Sequence, residues 1–308
     1  MISVVIPLYN KEKQIINTLQ SIFRQTYQDF EIVVINDGST DNSVAEVERI
    51  QDPRIRLINQ QNTGVSVARN RGIQESKGEY IALLDGDDEW MPDYLKTQIE
   101  LAQKYPECDV YAVNYCFRDM TGQTIPTKIN QLPFIGADGI LANYFEVASC
   151  SHPPICSISI MVRKGVFESV GGFPIGIKSG EDLLTWARLA CKYKIAYSTK
   201  PLAVFVESAS DTNVSKAIQR SGGEQYVLDE LLKLYNDHSD LVGLKDYVIR
   251  WYKIYCVLSI EINNNHKILK LAPEAIKFGG SKLQFMLLYI FGLMPTAISK
   301  YLFFKLRR

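Results

Sequence analysis

The chain has 308 residues, of which 34 are Lys or Arg and 34 are Asp or Glu, so its formal net charge is zero. This balance lacks the excess of positive charge that is typical of nucleic-acid-binding proteins, and we predict no nucleic-acid partner. The hydrophobic content of 46% is that of a globular protein with a sizeable core, in one large domain or two smaller ones.

The cysteines and the N-terminus both indicate a cytosolic protein. The six cysteines form no Cys-x-x-Cys pair and no Cys/His spacing typical of zinc, so we predict reduced thiols. Met1 is followed at once by a short β-branched run at 2–6, which is too short for the apolar region of a signal peptide and lacks its basic start. We therefore expect the fold to stay in the cytosol.

Strand-like and helix-like segments alternate through the first half of the chain. Short β-branched or apolar runs predict strands at 2–6, 31–35, 55–58, 80–84 and from 109 to 115. Apolar residues at helical spacing predict helices at 11–26, 44–50, 64–77 and 91–105. This alternation is typical of an α/β fold with a mostly parallel sheet that is covered by helices on both faces.

The second half is less regular. It predicts a strand at 157–163, a short helix at 166–170 and a helix that begins at Glu181-Asp182. Two further short runs, 195–197 and 203–206, have the character of edge strands. After residue 215 the pattern is helical throughout.

Polar residues follow the first four predicted strands. These segments are 7–10, 36–39, 59–64 and 85–88, and the last reads Asp85-Gly-Asp87-Asp88. Because ligands of open α/β sheets bind beyond the carboxyl ends of the strands, we expect the four segments to line one pocket. Oxygen-only ligands favour Mg²⁺ or Mn²⁺, which proteins often hold with one or two carboxylates and substrate phosphates. The alternative is an acidic turn exposed to water.

Five segments in this order resemble the family 2 inverting glycosyltransferases of the GT-A fold. Four of them surround the strand ends: Val4-Val5-Ile6-Pro7-Leu8-Tyr9-Asn10, Val34-Ile35-Asn36-Asp37-Gly38-Ser39-Thr40-Asp41, Asn62-Thr63-Gly64-Val65-Ser66-Val67-Ala68-Arg69-Asn70 and Leu84-Asp85-Gly86-Asp87-Asp88. The fifth is Gly171-Gly172-Phe173 followed by Glu181-Asp182. The resemblance covers about residues 1–215. It implies a catalytic domain over 1–215, with a nucleotide-sugar-binding half at 1–115 and an acceptor half at 116–215.

The resemblance also implies a nucleotide-sugar donor, usually a UDP-sugar, and a divalent cation, Mn²⁺ or Mg²⁺. The residues implied to bind the donor are Pro7, Tyr9, Asn10, Asp37, Gly64, Arg69, Asp85 and Asp87. Tyr9 would pack near the nucleobase and Asp37 would accept a hydrogen bond from it. Asp87 would be the direct metal ligand, with Asp85 toward the ribose or the metal and Asp88 in support.

For the acceptor side, the resemblance places the general base at Asp182, with Glu181 beside it. Trp186, one turn further along the helix, would stack on the acceptor sugar or pack in the core. Each assignment has a structural alternative. Asp37 would form an Asx-turn, Arg69 would be a solvated surface residue, and Glu181-Asp182 would only favour the start of a helix. His152 is interpreted as an ordinary loop residue.

The C-terminal region, 216–308, is basic and apolar. From His266 onward it has eight Lys or Arg residues against one acid, Glu274, and an uncharged apolar stretch at 283–299 is interrupted by Gly292 and Pro295. Because this stretch is too short to span a bilayer, we predict two helices that lie in the membrane interface with their basic residues toward anionic headgroups. The alternative is a helical hairpin packed on the catalytic domain or on a dimer partner.

Together these features predict transfer of a hexose or N-acetylhexosamine from a UDP-sugar to a hydroxyl of a lipid-linked saccharide. The setting would be surface polysaccharide synthesis (O-antigen, capsule or exopolysaccharide) by a cytoplasmic enzyme peripheral at the inner face of the plasma membrane. The residues after Asp182 lack the Gln-x-x-Arg-Trp motif of processive relatives, so one or a few sugars would be added. The alternatives are a sugar-nucleotide pyrophosphorylase and a non-catalytic membrane-associated scaffold with the same fold.

Overall fold

The structure is a computed structural model that describes residues 1–207 and 223–306. These residues form two compact units. The N-terminal unit comprises 1–176 and 181–207, and the C-terminal unit comprises 177–180 and 223–306. The predicted boundary between domains 1–215 and 216–308 lies outside the described residues, so that division stays a prediction.

The N-terminal unit contains a ten-stranded sheet. Its strands are β1 (Ile2–Leu8), β2 (Phe30–Asp37), β3 (Ile55–Gln60), β4 (Tyr80–Leu83), β5 (Glu89–Trp90), β6 (Val110–Arg118), β7 (Thr124–Pro126), β8 (Asp138–Ile140), β9 (Ile160–Arg163) and β10 (Ile195–Val206). The order across the sheet is β3-β2-β1-β4-β9-β6-β10-β5, with β7 paired to β6 and β8 to β10. Strands β1 to β4 run parallel to one another, as do β6 and β10. The sheet is therefore mixed but mostly parallel at the predicted pocket.

Helices pack on this sheet with their apolar sides inward. They are α1 (Ile15–Phe23), α2 (Ser43–Glu48), α3 (Val65–Glu75), α4 (Tyr94–Lys104), α5 (Tyr144–Cys150), α6 (Val166–Ser169) and α7 (Glu181–Lys192). Helix α1 buries Ile15, Leu19 and Ile22 completely, as its 3.6-residue spacing predicts. Helix α3 approaches the sheet closely at Gly72, where an added Cβ would lie 2.3 Å from Val5 Cγ1. A side chain at this position would push α3 away from the strand ends.

One strand prediction was wrong. The runs 195–197 and 203–206 are not two edge strands but a single strand, β10, which lies between β6 and β5. Its register against β6 shifts between Ser198 and Pro201 and again between Pro201 and Ala203. Pro201 has no backbone N–H to donate, so it breaks the ladder and gives one bulged strand the appearance of two.

The C-terminal unit is helical, as predicted for the part of it that is described. Its helices are α8 (Glu224–Asp237), α9 (Leu244–Glu261), α10 (His266–Phe278), α11 (Lys282–Leu293) and α12 (Thr296–Leu306). Aromatic side chains of α9, including Tyr247, Trp251 and Tyr255, form much of its buried interior. Among the described helices, none combines the length and the hydropathy needed to cross a bilayer.

Candidate active site

The loops after β1 and β2 are tied together by side-chain hydrogen bonds. Asn10 has a left-handed backbone (φ +52°), which asparagine tolerates better than most residues. Its Oδ1 accepts a hydrogen bond from the Thr40 backbone N–H at 2.8 Å, and its own N–H donates to Ser39 Oγ at 3.1 Å. Tyr9 lies just before this turn and is 45% exposed. An exposed ring on a fixed loop is a suitable surface for stacking a nucleobase.

Asp37, at the end of β2, organises the loop that precedes α3. Its Oδ1 accepts hydrogen bonds from Gln60 Nε2 at 2.8 Å and from the backbone and side chain of Thr63 at 3.0 and 3.3 Å. Its Oδ2 accepts the Gly64 N–H at 2.8 Å. The side chain is buried, and its hydrogen bonds join β2 to the loop before α3, 23 to 27 residues away, rather than forming an Asx-turn with the residues just after Asp37. The implied contact with the nucleobase stays a prediction.

Arg69 is buried and holds the first acid of the Asp85–Asp88 turn. Its Nη2 donates to both oxygens of Asp85, at 2.8 and 3.1 Å, and Ser157 Oγ donates to Asp85 Oδ2 at 2.9 Å. The guanidinium also lies over the Phe173 ring, 5.2 Å from its centroid. Because Arg69 is only 4% exposed, the alternative of a solvated surface residue is wrong. The two neighbouring carboxylates, Asp85 and then Glu181, raise its pKa against the opposing effect of burial.

The other two acids of the turn have different partners. The Asp88 carboxylate is buried and accepts the Val206 backbone N–H at 2.9 Å, which joins the turn to the end of β10. Burial, followed by the charges of Asp87 and Asp85, raises the pKa of Asp88 well above its ordinary value. The Asp87 carboxylate is one-third exposed and its Oδ2 lies 2.5 Å from Lys11 Nζ.

The carboxylates of the Asp85–Asp88 turn are the groups predicted to hold a metal ion. The described residues contain no group of three His, Cys, Asp or Glu side chains placed to hold a metal ion. The assignment of Asp85, Asp87 and Asp88 as metal ligands therefore stays a prediction, and in this structure each carboxylate faces a different partner. The Asp87 carboxylate pairs with the Lys11 ammonium and remains one-third exposed. Its exposed oxygens fit a hard cation that takes one protein carboxylate and completes its shell with phosphate oxygens and water.

The predicted base lies at the start of α7, close to the same arginine. Arg69 Nη1 is 3.5 Å from Glu181 Oε1, although the two residues are 112 positions apart. Asp182 Oδ1 accepts the Leu183 N–H at 2.7 Å. Burial and the charge of Asp182 raise the pKa of Glu181 to about 7, against the opposing effect of Arg69. Burial also raises the pKa of Asp182, again opposed by Arg69. Both carboxyls thus hold protons more tightly than ordinary acids.

Two residues were considered for the acceptor side, Trp186 and His152. Trp186 is completely buried, with its ring edge-on to Phe173 at 5.6 Å between centroids. The prediction that it stacks on an acceptor sugar is therefore wrong, because a sugar cannot reach a ring that packs in the core. His152 is an exposed loop residue whose ring is 6.3 Å from that of Phe117.

Two polar side chains of the site were not predicted from the sequence. Lys11 reaches Asp87 from the loop after β1, and Ser157 reaches Asp85 from the segment before β9. Each is separated from its partner by more than 70 residues. A lone lysine or serine in a polar segment carries no local signal of such a contact.

The N-terminal unit matches a known protein family. A family model described as Glycosyl transferase family 2 matches residues 3–170. The chain belongs to this family. An uncharacterized glycosyltransferase of Rickettsia bellii is 31% identical over 206 residues, which are 66% of this chain and 28% of that protein. The chain thus spans about a third of the length of the curated relatives it matches first. The matched part covers 28, 32 and 38% of three of them.

Two solved structures resemble nearly the whole chain. S. aureus TarS 1–349 in complex with UDP-GlcNAc matches with a TM-score of 0.61 and 18% identity, covering 94% of this chain and 90% of that one. The mannosyltransferase PcManGT of Pyrobaculum calidifontis, in complex with GDP-Man and Mn²⁺, matches with a TM-score of 0.60 and 19% identity, covering 97% of this chain and 83% of that one. At these identities the likeness concerns the fold, and it confirms the predicted GT-A architecture.

Proposed function

We propose that this chain transfers a hexose or N-acetylhexosamine from a UDP-sugar to a saccharide hydroxyl, with inversion at the anomeric carbon. The observation that carries the proposal is the Arg69 network. Asp85, on the proposed donor side, and Glu181, on the proposed acceptor side, both contact its guanidinium. The groups proposed for the two parts of a transfer reaction are therefore close to one another. A donor with a diphosphate leaving group fits the exposed Asp87 carboxylate, and TarS and PcManGT bind nucleotide sugars on the same fold.

The base of this reaction is Asp182, with Glu181 as its neighbour. The acceptor hydroxyl must lose its proton as it attacks the anomeric carbon, and a positioned carboxylate accelerates such a step by typically 10²–10⁴-fold. Burial raises the pKa of both carboxyls, which makes them stronger bases than exposed acids when they are ionised. Arg69 opposes part of that shift in both groups and so favours their ionised forms.

The leaving group is handled at the strand ends. Asp87 would hold Mn²⁺ or Mg²⁺, which when bound neutralises the charge that builds on the departing diphosphate. Asp85 and Asp88 contribute indirectly. Asp85 is hydrogen-bonded to Arg69, and Asp88 joins the turn to Val206. The Asp87 carboxylate therefore lies on a turn that is held on both sides. Tyr9 stacks on the base, and the backbone of 7–10, Asp37 and Gly64 form the floor under the nucleotide.

A panel of nucleotide sugars tests this proposal. The full chain is incubated with each donor in Mn²⁺, Mg²⁺ or EDTA, without acceptor, and nucleotide release is measured. We expect slow release from one UDP-hexose or UDP-N-acetylhexosamine, and we expect EDTA to stop it. Release that is equal with EDTA would contradict the metal site, and release from no donor would contradict the proposed activity.

We also propose that the acceptor is carried on a lipid and that the protein lies peripherally at the inner face of the plasma membrane. Of the 19 exposed large hydrophobic residues of the described chain, nine lie on α11 and α12. They are Leu283, Met286, Leu287, Ile290, Leu293, Ile298, Tyr301, Phe304 and Leu306. The five on α11 follow helical spacing and form one exposed stripe, which is typical of a surface with a partner.

The charge around this stripe favours anionic lipid. After Glu274 the sequence has no Asp or Glu, while Lys277, Lys282, Lys300 and Lys305 follow. A second copy of the chain would bring lysine against lysine, whereas anionic headgroups attract each basic residue by about 1 kcal/mol. An amphipathic surface of this kind binds in the plane of the interface without spanning the bilayer.

Vesicle sedimentation separates this part of the proposal from the chemistry. We expect the chain to bind vesicles that contain phosphatidylglycerol more tightly than neutral ones, and we expect salt to weaken the binding. The L287E/I290E double variant should lose it, while V242E, which changes an exposed valine of the same unit outside the stripe, should retain it. Equal binding by all three proteins would contradict lipid contact. Concentration-dependent dimers that the double variant lacks would indicate a second copy on this face.

A further inference from the structure

Lys11 is placed by the backbone on the donor side of the site. Its N–H donates to Ser43 Oγ at 2.7 Å, and it follows Asn10, whose side chain is tied to Thr40. The lysine stem runs beside Gly86, where an added Cβ would lie 3.6 Å from Lys11 Cγ. The ammonium therefore reaches Asp87 from a loop whose position is fixed at both ends.

Lys11 differs from the other partners of the acidic turn. Asp85 is held by a buried guanidinium, and Asp88 by a backbone N–H. The Lys11–Asp87 pair is instead about one-third exposed on each side. Ion pairs this accessible to water contribute little to stability, so this contact can exchange for another at little cost. Lys11 is also close enough to Asp85 and Asp88 for both to raise its pKa, after Asp87 and against the effect of burial.

The two cations of the proposed reaction compete for the same oxygens. A divalent ion on the Asp87 carboxylate would lie next to the Lys11 ammonium, and like charges at such a distance repel each other. The nucleotide changes this balance because its diphosphate brings negative charge for both cations. Lysine binds phosphate oxygens as a mobile point charge, and its flexible stem lets it change partner.

We propose that Lys11 is an exchangeable counter-ion that keeps the divalent cation off Asp87 until the nucleotide diphosphate arrives. In the free protein the ammonium neutralises Asp87. In the complex it leaves Asp87 to the metal and contacts the diphosphate. Metal and nucleotide then bind together and each binds weakly alone. Lys11 is a positioning residue in this scheme, which rests on the proposed function and specifies how its donor and cation are admitted.

Binding measurements on K11M and K13M test the proposal. Lys13 is exposed in the same loop, so K13M removes the same charge without touching Asp87. Mn²⁺ affinity is measured by electron paramagnetic resonance without nucleotide, and UDP affinity by calorimetry with saturating Mn²⁺. We expect K11M to bind Mn²⁺ alone about fivefold more tightly, the size of an exposed ion pair near 1 kcal/mol. We expect it to bind UDP about tenfold more weakly, because a charged hydrogen bond to phosphate is lost.

The controls keep the outcomes distinct. K13M should match the wild type in both measurements, and K11R should retain most of the coupling because it keeps the charge. If K11M and the wild type bind Mn²⁺ equally without nucleotide, or if K13M gives the same shift as K11M, the counter-ion role is wrong. If UDP binding by K11M is unchanged, the exchange to the diphosphate is wrong. If the wild type binds no Mn²⁺ even with UDP, the metal of the proposed function fails, and this inference fails with it.

Discussion

The two groups of acids in the site differ in how their charge is balanced. In the turn, Asp85 pairs with Arg69 and Asp87 pairs with Lys11. Asp88 is the exception, because it is buried, accepts the Val206 N–H and has a raised pKa. At the start of α7, Glu181 alone of the two acids has a recorded contact with Arg69, at 3.5 Å, and the pKa of each acid is raised. Balanced carboxylates are suited to binding, and unbalanced ones to taking a proton.

The difference follows from where each group lies. The turn follows the carboxyl end of β4, where a loop lysine and a strand N–H can reach it. Burial raises the pKa of both α7 acids, and the charge of Asp182 raises that of Glu181 further. A binding site and a base can therefore be made from the same residue type by changing the neighbours.

Asp182→Asn should give the largest effect, because it removes the proposed base and keeps its shape. We expect the turnover rate to fall by about 10²–10⁴-fold. UDP affinity should remain close to that of the wild type, since the donor side is untouched. Steady-state kinetics and calorimetry measure the two quantities. A variant that retains full turnover would show that the unbalanced pair is not where the acceptor is deprotonated.

Asp87→Asn tests the opposite assignment. The substitution removes the charge that the cation needs. We therefore expect the variant to bind UDP with the same affinity in Mn²⁺ as in EDTA. Loss of a metal that supplies several kcal/mol should lower turnover by about 10²-fold or more. If UDP binding still depends on Mn²⁺, the cation binds elsewhere and Asp87 belongs to the Lys11 pair alone.

The sequence predicts the sheet of the donor half closely. Strands β1 to β4 and the helices between them lie within a few residues of their predicted bounds, because buried runs and helical spacing are local signals. Where a proline interrupts a strand, the local signal fails, and β10 was predicted as two strands. Tyr9, Asp37 and the acidic turn could be placed at one edge because the carboxyl ends of parallel strands converge.

Side-chain partners are less predictable because they depend on residues far apart in the chain. Arg69 is charged and lies on a helix, which favours exposure, yet its partners at Asp85 and Glu181 bury it. Trp186 follows Asp182 by one turn, but its indole points into the core against Phe173. No pattern within either segment specifies which face of the helix meets the sheet and which meets the site.

Glu181→Gln tests the unbalanced charge through stability. In the unfolded chain Glu181 releases its proton near its ordinary pKa of 4.5, whereas in the fold it does so at about 7. The folded state therefore binds more protons between these values, and the stabilising contribution of the protonated carboxyl is lost as pH rises through about 7. Between pH 5 and pH 8, the unfolding temperature should decrease more in the wild type than in the variant. E168Q, which changes an exposed acid on α6, should behave as the wild type does.

Ser157→Ala should give the smallest effect and sharpen the assignment of Asp85. The variant loses one hydrogen bond to a carboxylate that Arg69 continues to hold at 2.8 Å. Because a buried ion pair resists the loss of a single neutral donor better than the loss of its cation, we expect a decrease in unfolding free energy of about 1 kcal/mol. Urea unfolding measures it, and UDP affinity should stay within about twofold. A loss of several kcal/mol would mean that the hydroxyl, rather than the guanidinium, balances Asp85, and Arg69 would then be available mainly to the pair at Glu181.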